Sequence, residues 1–378
     1  MRNKLPLLVL LGVAVSLSAW AQTPSVYNYA RHQYPQVNPD NTVTFKFDAP
    51  SAKSVVLSLG KDYQMTKGED GLWTVTTDPQ VVGFHYYSYK IGGLTIADPY
   101  CYSFFGVSNN YSAVEIPESP EEADFYTTHD IPHGAVRSIR FYSKACGEFR
   151  RMYVYTPAGY EQELDRRYPV LYIQHGGGED ETGWVFQGRT DNIMDNLIHA
   201  GKAVPMIVVM NSGYATKPGS DDQFDAFEDM IINDVIPFVD KRYRTIADRD
   251  HRATAGLSWG AKQSYDLGLG HNEYFSYISG FSGIIVIGEF THRNPGYRDP
   301  EKLDAAYDGI FHDPDRFNER NHLLFLANGG AEGNNIGELS QILTDKGIKN
   351  EYYQSPGTAH EWLTWRRCLY QYAQKLFK

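Results

Sequence analysis

The stretch Arg252-Ala253-Thr254-Ala255-Gly256-Leu257-Ser258-Trp259-Gly260-Ala261 decides how the chain is read. Its first four residues carry a strand signal, and Ala261 to Leu269 carry a helix signal. Between them lies Gly-x-Ser-x-Gly. A strand that reverses into a helix through such a turn holds the serine in a strained, exposed position, and the flanking glycines let the backbone pass closely. The oxygen then lies near a helix N-terminus, where partial positive charge favours a developing anion. Taken alone the pattern also fits an ordinary Gly/Ser loop; the strand before it and the helix after it make Ser258 the candidate nucleophile.

Around this turn, strand and helix signals alternate from about residue 137 onward. Short apolar runs occur at Pro169–Gln174 and Met206–Met210, and strand candidates recur at Arg252–Ala255, Tyr277–Phe281, Leu323–Ala327 and Glu351–Gln354. Helical spacing appears at 189–199, and Phe224 to Tyr243 reads as one long amphipathic helix. Alternating units of this length predict a mainly parallel sheet covered on both faces.

A serine hydroxyl needs a base within hydrogen-bond reach, and in this architecture the chain order is nucleophile, acid, histidine. Of the five histidines after Ser258, only His360 follows a turn between the last strand and the C-terminal helix. His271 reads as a cap on the post-nucleophile helix, His292 and His312 fall in an irregular segment, and His322 opens a strand. The acid belongs on the loop after Leu323–Ala327, where Glu332 is the sole carboxylate between Asn328 and Gly337. Asp299, Asp304, Asp308, Asp313 and Asp315 are its rivals, all upstream of that strand. Backbone N–H donors for an oxyanion are expected from His175-Gly176-Gly177-Gly178, with Gly177 favoured among the three glycines, and from Trp259. The lack of a following Gly-Lys-Ser/Thr argues against a phosphate loop at His175–Gly178.

Before residue 120 the pattern is different. Thr42–Phe47, Val55–Leu59, Leu72–Thr76 and Phe84–Lys90 read as short alternating strands separated by turn residues, which predicts an immunoglobulin-like β-sandwich. Residues 1–21 read as a signal peptide: Arg2 and Lys4, an apolar run from Leu7 to Leu17, and Ala19-Trp20-Ala21 before a cleavage that leaves Gln22 first. The expected organisation is therefore signal peptide 1–21, sandwich 22–120, linker 121–136 and catalytic unit 137–378. The expected address is periplasmic or secreted, without stable membrane insertion.

Composition narrows the classes further. Hydrophobic residues at 42% and charged residues at 21% are ordinary for a globular chain. Losing Arg2 and Lys4 takes the net charge from −11 to −13, which disfavours nucleic acid as a partner. Three widely spaced cysteines outline no disulfide framework, and the absence of metal-type spacing predicts neither metal nor cofactor. The 28 tyrosines suit either strands or the stacking of sugars and phenols.

Several motifs together resemble the esterase D/feruloyl esterase group, carbohydrate esterase family one. They are Pro169 to Gly178, Trp184, Asp195-Asn196-Leu197-Ile198, Pro205 to Met210, Gly256 to Gly260 and His360-Glu361-Trp362. The resemblance spans about 140 to 378. It implies an α/β-hydrolase fold and hydrolysis of carboxylic esters, commonly feruloyl or acetyl groups on plant xylan, with Trp184 and Trp362 as candidate substrate-binding aromatics. Trp259 stands where Met is commoner and Glu332 where Asp is commoner. Ala49-Pro50, Gly71-Leu72-Trp73, Gly83 to Tyr87 and Ala97-Asp98-Pro99 are similar to the early-set sandwich of glycogen-branching-type enzymes, in which Trp73 reads as core. The alternatives are a siderophore (enterochelin-type) esterase, acyl transfer to a sugar, and a glycan-binding protein with an inactive hydrolase domain. The oligomeric state is left open.

Overall fold

The structure is a computed structural model and describes residues 22–287 and 296–378. The expected signal peptide and His292 lie outside the described residues.

The main sheet has eight strands, in the order Ala135–Ser143, Glu148–Thr156, Ile207–Asn211, Val170–Gln174, Arg252–Gly256, Tyr277–Phe281, Leu323–Gly329 and Glu351–Ser355. From Ile207–Asn211 onward each neighbour pairs in parallel. The inner strands are mostly apolar or small-residue runs buried on both faces, with Gln174, Asn211, Arg252, Thr254 and Ser279 as their buried polar members. The first two junctions are antiparallel, so the sheet is mixed. The strands 135–143 and 148–156 alternate instead: Ile139, Phe141, Met152 and Val154 face inward while Arg140 and Tyr142 face water. That alternation marks a hairpin with one solvated side.

The helix expected over Phe224 to Tyr243 is interrupted. It runs as Phe227–Met230, widens to i→i+5 bonding over Ile231–Val235, then resumes at Ile236–Arg242. Pro237 has no N–H, and its ring would collide with the carbonyl four residues back; the widened turn absorbs both problems.

The N-terminal residues form two antiparallel sheets of five and six strands. Their facing aromatics interlock, Phe45 on Tyr87 at 4.9 Å and Phe47 on Tyr89 at 4.2 Å between ring centroids. Trp73 is buried among them and donates its indole N–H to Ala49 O at 3.0 Å. Two short strands missed in the sequence, Lys61–Gln64 and Thr66–Lys67, intervene before Leu72–Thr76.

The segment 121–136 is docked along its length rather than slack. Ser119 caps the helical turn Pro120–Ala123, accepting from Glu122 N while the Glu122 carboxylate reaches back. Asn196 Nδ2 donates to the carbonyls of Asp124, Phe125 and Thr127 at 2.9 to 3.2 Å. Asp195 accepts from Gly134 N, the Tyr155 hydroxyl and His133. The Asp195-Asn196 motif therefore fastens this segment. One apolar cluster continues from Phe84 and Phe104 through Tyr126 to Trp184, Trp362 and Leu363. Beside it, Arg366 and Glu115 form a buried ion pair at 2.7 and 3.2 Å.

Candidate active site

Ser258 sits at φ +53, ψ −117 between Arg252–Gly256 and the helix Trp259–Gly270. Its N–H donates to Phe281 O at 2.8 Å, so the neighbouring strand holds the strained turn in place. Glycine is required on both sides: a Cβ on Gly256 would run into Gly260 O, and one on Gly260 into His175 O.

The other two residues arrive from loops at the same end of the sheet. His360 Nε2 lies 3.0 Å from Ser258 Oγ, and His360 Nδ1 lies 2.8 Å from Glu332 Oε2. The second carboxylate oxygen of Glu332 accepts from Ser282 Oγ at 2.6 Å and from Gly329 N at 2.7 Å. Burial pushes the Glu332 carboxyl up, but hydrogen bonds from His360, Ser282 and Gly329 outweigh it and hold the group below its ordinary range. An ionised Glu332 must accept from Nδ1–H, which leaves Nε2 to accept a hydrogen bond from the Ser258 hydroxyl.

Three of the five rival carboxylates are occupied elsewhere. Asp299 and Asp313 cap helices, and Asp304 pairs with Lys346. His271 pairs with Glu228 and His322 with Asp250, while His312 lines a separate cleft.

The glycine loop is held by hydrogen bonds that the sequence does not disclose. His175 is buried; its Nε2 accepts from Gly213 N at 2.9 Å, so Nδ1 carries the proton and donates to Gly176 O at 2.8 Å. Burial depresses its pKa, which keeps it neutral. The Gly178 N–H is taken by the Tyr214 hydroxyl at 2.6 Å. Gly177 lines the same cleft as Ser258 and Trp259. Trp259 opens its helix, so its N–H has no intrahelical acceptor.

This cleft has a volume of about 550 Å³. Its lining includes the apolar Ile284, Val286 and Ile336 and the polar Lys262, Arg298, Asn328 and Asn335. Lys262 bonds Asp266 at 2.5 Å and Arg298 bonds Glu338 at 2.8 and 2.6 Å, so both cations are neutralised. Phe224 supports Trp259 at 4.8 Å and stacks on Tyr214 at 5.3 Å.

Trp184 and Trp362 correct an expectation. They are 1% and 2% exposed and do not line the cleft. Trp184 donates to Gln174 O at 2.8 Å and Trp362 to the Tyr86 hydroxyl at 3.2 Å, so both belong to the core behind the site. Ser282 and Trp365 were missed. Trp365 donates to Ser282 Oγ at 3.0 Å and packs edge-on against His360 at 5.2 Å. The signal for Ser282 was its position directly after the strand Tyr277–Phe281.

Glu179, next to the glycine loop, is a buried carboxyl with an unpartnered Oε2. Desolvation raises its pKa from 4.5 to about 8, against weaker stabilisation by Tyr86 and Trp362. The neutral acid is thus the folded form at neutral pH, whereas the unfolded chain ionises above 4.5. Stability should fall as pH rises from 4.5 to about 8 and then level. Glu179→Gln should remove that slope, gaining on the order of a few kcal/mol at pH 8. Melting temperatures of both proteins from pH 4 to 9 check this; parallel curves would refute it.

No group of three or more His, Cys, Asp or Glu among the described residues is arranged to hold a metal ion, and no helix there is long and apolar enough to cross a membrane. The three cysteines are buried and free.

Among curated proteins, an endo-1,4-beta-xylanase/feruloyl esterase of Xylanibacter ruminicola is 38% identical over 369 residues, 94% of this chain and 47% of the relative. Endo-1,4-beta-xylanase Y of Acetivibrio thermocellus is 26% identical over 244 residues, 57% of this chain and 21% of the relative. The chain spans less than half the length of these two relatives. Among solved structures, a ferulic acid esterase of Anaeromyces mucronatus superposes with TM-score 0.57 at 24% identity, over 67% of this chain and 95% of that one. The enterobactin esterase FES of Shigella flexneri does so with TM-score 0.63 at 19% identity, over 89% and 93%. At those identities the structures speak for the fold, an esterase-type α/β-hydrolase. A family model described as putative esterase matches residues 143–376, and the chain belongs to that esterase family.

Proposed function

We propose that the chain is an exported serine carboxylic-ester hydrolase that removes feruloyl groups from plant cell-wall polysaccharide. One observation carries the reading: Ser258, His360 and Glu332 form a hydrogen-bonded chain at 3.0 and 2.8 Å and line a cleft about 550 Å³ in volume. In this reading Ser258 Oγ attacks the ester carbonyl while His360 takes its proton, and Glu332 stabilises the imidazolium. The N–H groups of Gly177 and Trp259 receive the oxyanion. The sugar alkoxide leaves with the proton from His360. Water, deprotonated by His360, then attacks the acyl-Ser258 carbonyl and releases the acid.

An aromatic acyl group fits a cleft lined by both apolar side chains and a few polar groups. The xylan substrate draws support from the names of the relatives, and export from the signal-like first 21 residues. We also read 22–120 as an immunoglobulin-like sandwich, supported by its two facing antiparallel sheets, and 137–378 as a mainly parallel hydrolase unit.

The enterochelin-type reading has one observation in its favour, a superposition that includes the N-terminal part. An anionic catecholate would look for free cations, and Lys262 and Arg298 are already paired. A comparison of kcat/KM on methyl ferulate, acetylated xylan and enterobactin tests the proposal. The expected order has methyl ferulate first by at least about tenfold, equivalent to about 1.4 kcal/mol in transition-state binding. Preference for enterobactin would move the assignment to the siderophore class. Binding to insoluble xylan without turnover of any ester would leave a glycan-binding protein.

A further inference from the structure

The hairpin between the strands Phe104–Gly106 and Asn109–Ile116 turns through Val107 at φ +51 and Ser108 at φ +62. Two-residue turns of this kind favour Asn-Gly, and a β-branched residue at positive φ works against its own sterics. Such a conformation persists where the surroundings over-determine it. The surroundings here are the glycine loop beside Ser258.

Ser108 N–H donates to Gly178 O at 2.7 Å. Gly178 stands at φ +77, so near the hairpin that a Cβ on it would lie 3.0 Å from Ser108 N and 3.2 Å from Val107 Cα. The base of the hairpin is fastened as well. Gln187 Nε2 donates to Phe105 O at 2.8 Å and to the Tyr86 hydroxyl at 2.9 Å, and that hydroxyl donates to Glu179 Oε1 at 3.3 Å.

Successive peptide planes of the loop are thereby pinned. The plane carrying Gly177 N–H is held through Gly176 O, which accepts from His175 Nδ1 at 2.8 Å and Glu179 N at 3.3 Å. The next is held by Tyr214 on Gly178 N, and the one after by Ser108 on Gly178 O. A peptide is planar, so fixing one edge aims the other. The catalytic half supplies the first two restraints and the N-terminal half supplies the third.

We propose that this hairpin is a positioning element of the hydrolytic site, holding the loop so that Gly177 N–H points at the developing oxyanion. The inference rests on the reading of Gly177 as an oxyanion donor. Donors act only within a narrow distance of the oxyanion, so a small displacement of the loop lowers turnover more than ground-state binding.

The test uses the full chain with two altered hairpins: one without Val107 and Ser108, closed through Gly106 and Asn109, and one with a glycine inserted after Ser108. Both are expected to lower kcat on methyl ferulate about tenfold or more with KM within about twofold, and to slow inactivation by an aryl phosphonate, which needs the same donors, by the same factor. The control Val107→Asn/Ser108→Gly keeps the backbone N–H and relieves the strain, and is expected to keep kcat within about twofold. The lengthened turn serves if the shortened one does not fold, because surface insertions are well tolerated. Parent-like kcat in the altered hairpins overturns the proposal, and so does a loss of kcat with an unchanged phosphonate rate. Full activity in Ser258→Ala would instead overturn the reading beneath it.

Discussion

A Ser258→Ala variant should lose about 10⁵- to 10⁶-fold in kcat on methyl ferulate while keeping its melting temperature. The alanine side chain cannot form an acyl-enzyme, and only the cleft and the N–H donors remain to assist direct attack by water. Glu332→Gln tests the weaker member of the trio, because the sequence motif stands at Glu where Asp is commoner. The amide is isosteric but carries no charge, and its NH₂ can face His360 Nδ1. That selects the tautomer with the proton on Nε2, which cannot accept from Ser258. A loss of about 10⁴-fold in kcat with little change in KM is expected. Activity within tenfold of the parent in Ser258→Ala would sink the mechanism; near-parent activity in Glu332→Gln would remove Glu332 from it.

Arg366→Met should destabilise the fold by about 3–5 kcal/mol, measured as a shift of the urea unfolding curve. Arg366 is fully buried on the C-terminal helix, and Glu115 is nearly so on a strand of the N-terminal sheet. The guanidinium gives both of its terminal nitrogens to the carboxylate, and its Nε donates to Gln187 O at 2.7 Å. Removing it leaves Glu115 with the Tyr27 hydroxyl at 2.6 Å and Arg189 at 3.4 Å, incomplete compensation for a buried charge. Desolvation acts to raise the Glu115 pKa, but Arg366 and Arg189 reverse it and leave the group below its ordinary 4.5; Arg366 is itself shifted up, so both partners favour the charged pair. A depressed carboxylate contributes stability that is present above 4.5 and lost as pH falls through its folded value. The difference between parent and Arg366→Met should therefore shrink below pH 4.5, where a neutral Glu115 no longer needs a partner. A constant difference across pH would mean that packing, not the ion pair, accounts for the loss.

The reading of Ser258 needed little beyond its neighbours. Gly256 must lack a Cβ for a local reason, the Gly260 carbonyl, whereas Gly260 answers to the His175 carbonyl at the end of the neighbouring strand; the strand and helix on either side are visible between Arg252 and Leu269. His360 and Glu332 followed from their order after the nucleophile, because topology brings each loop after a parallel strand to the same end of the sheet. The support of these residues was not legible. Ser282, Trp365, His175 and Tyr214 act through hydrogen bonds to residues that share no local pattern with them. Trp184 and Trp362 were misjudged because aromatic type does not say which side of a loop or helix faces ligand; their indole N–H groups found partners inside.

The sequence by itself determined the alternating strands and helices and the Gly256–Gly260 turn, which depend on periodicity and turn residues, and it placed Ser258, Glu332 and His360 each after a strand in chain order. Only the tertiary structure decided that Pro117–Glu122, an acidic stretch with two prolines, is fastened at its ends. Glu115 meets Arg366 and Glu118 meets Arg367 across some 250 residues of chain. The physical reason is that a carboxylate in a polar segment looks solvated until its counter-charge is known, and that partner is chosen by packing rather than by sequence distance.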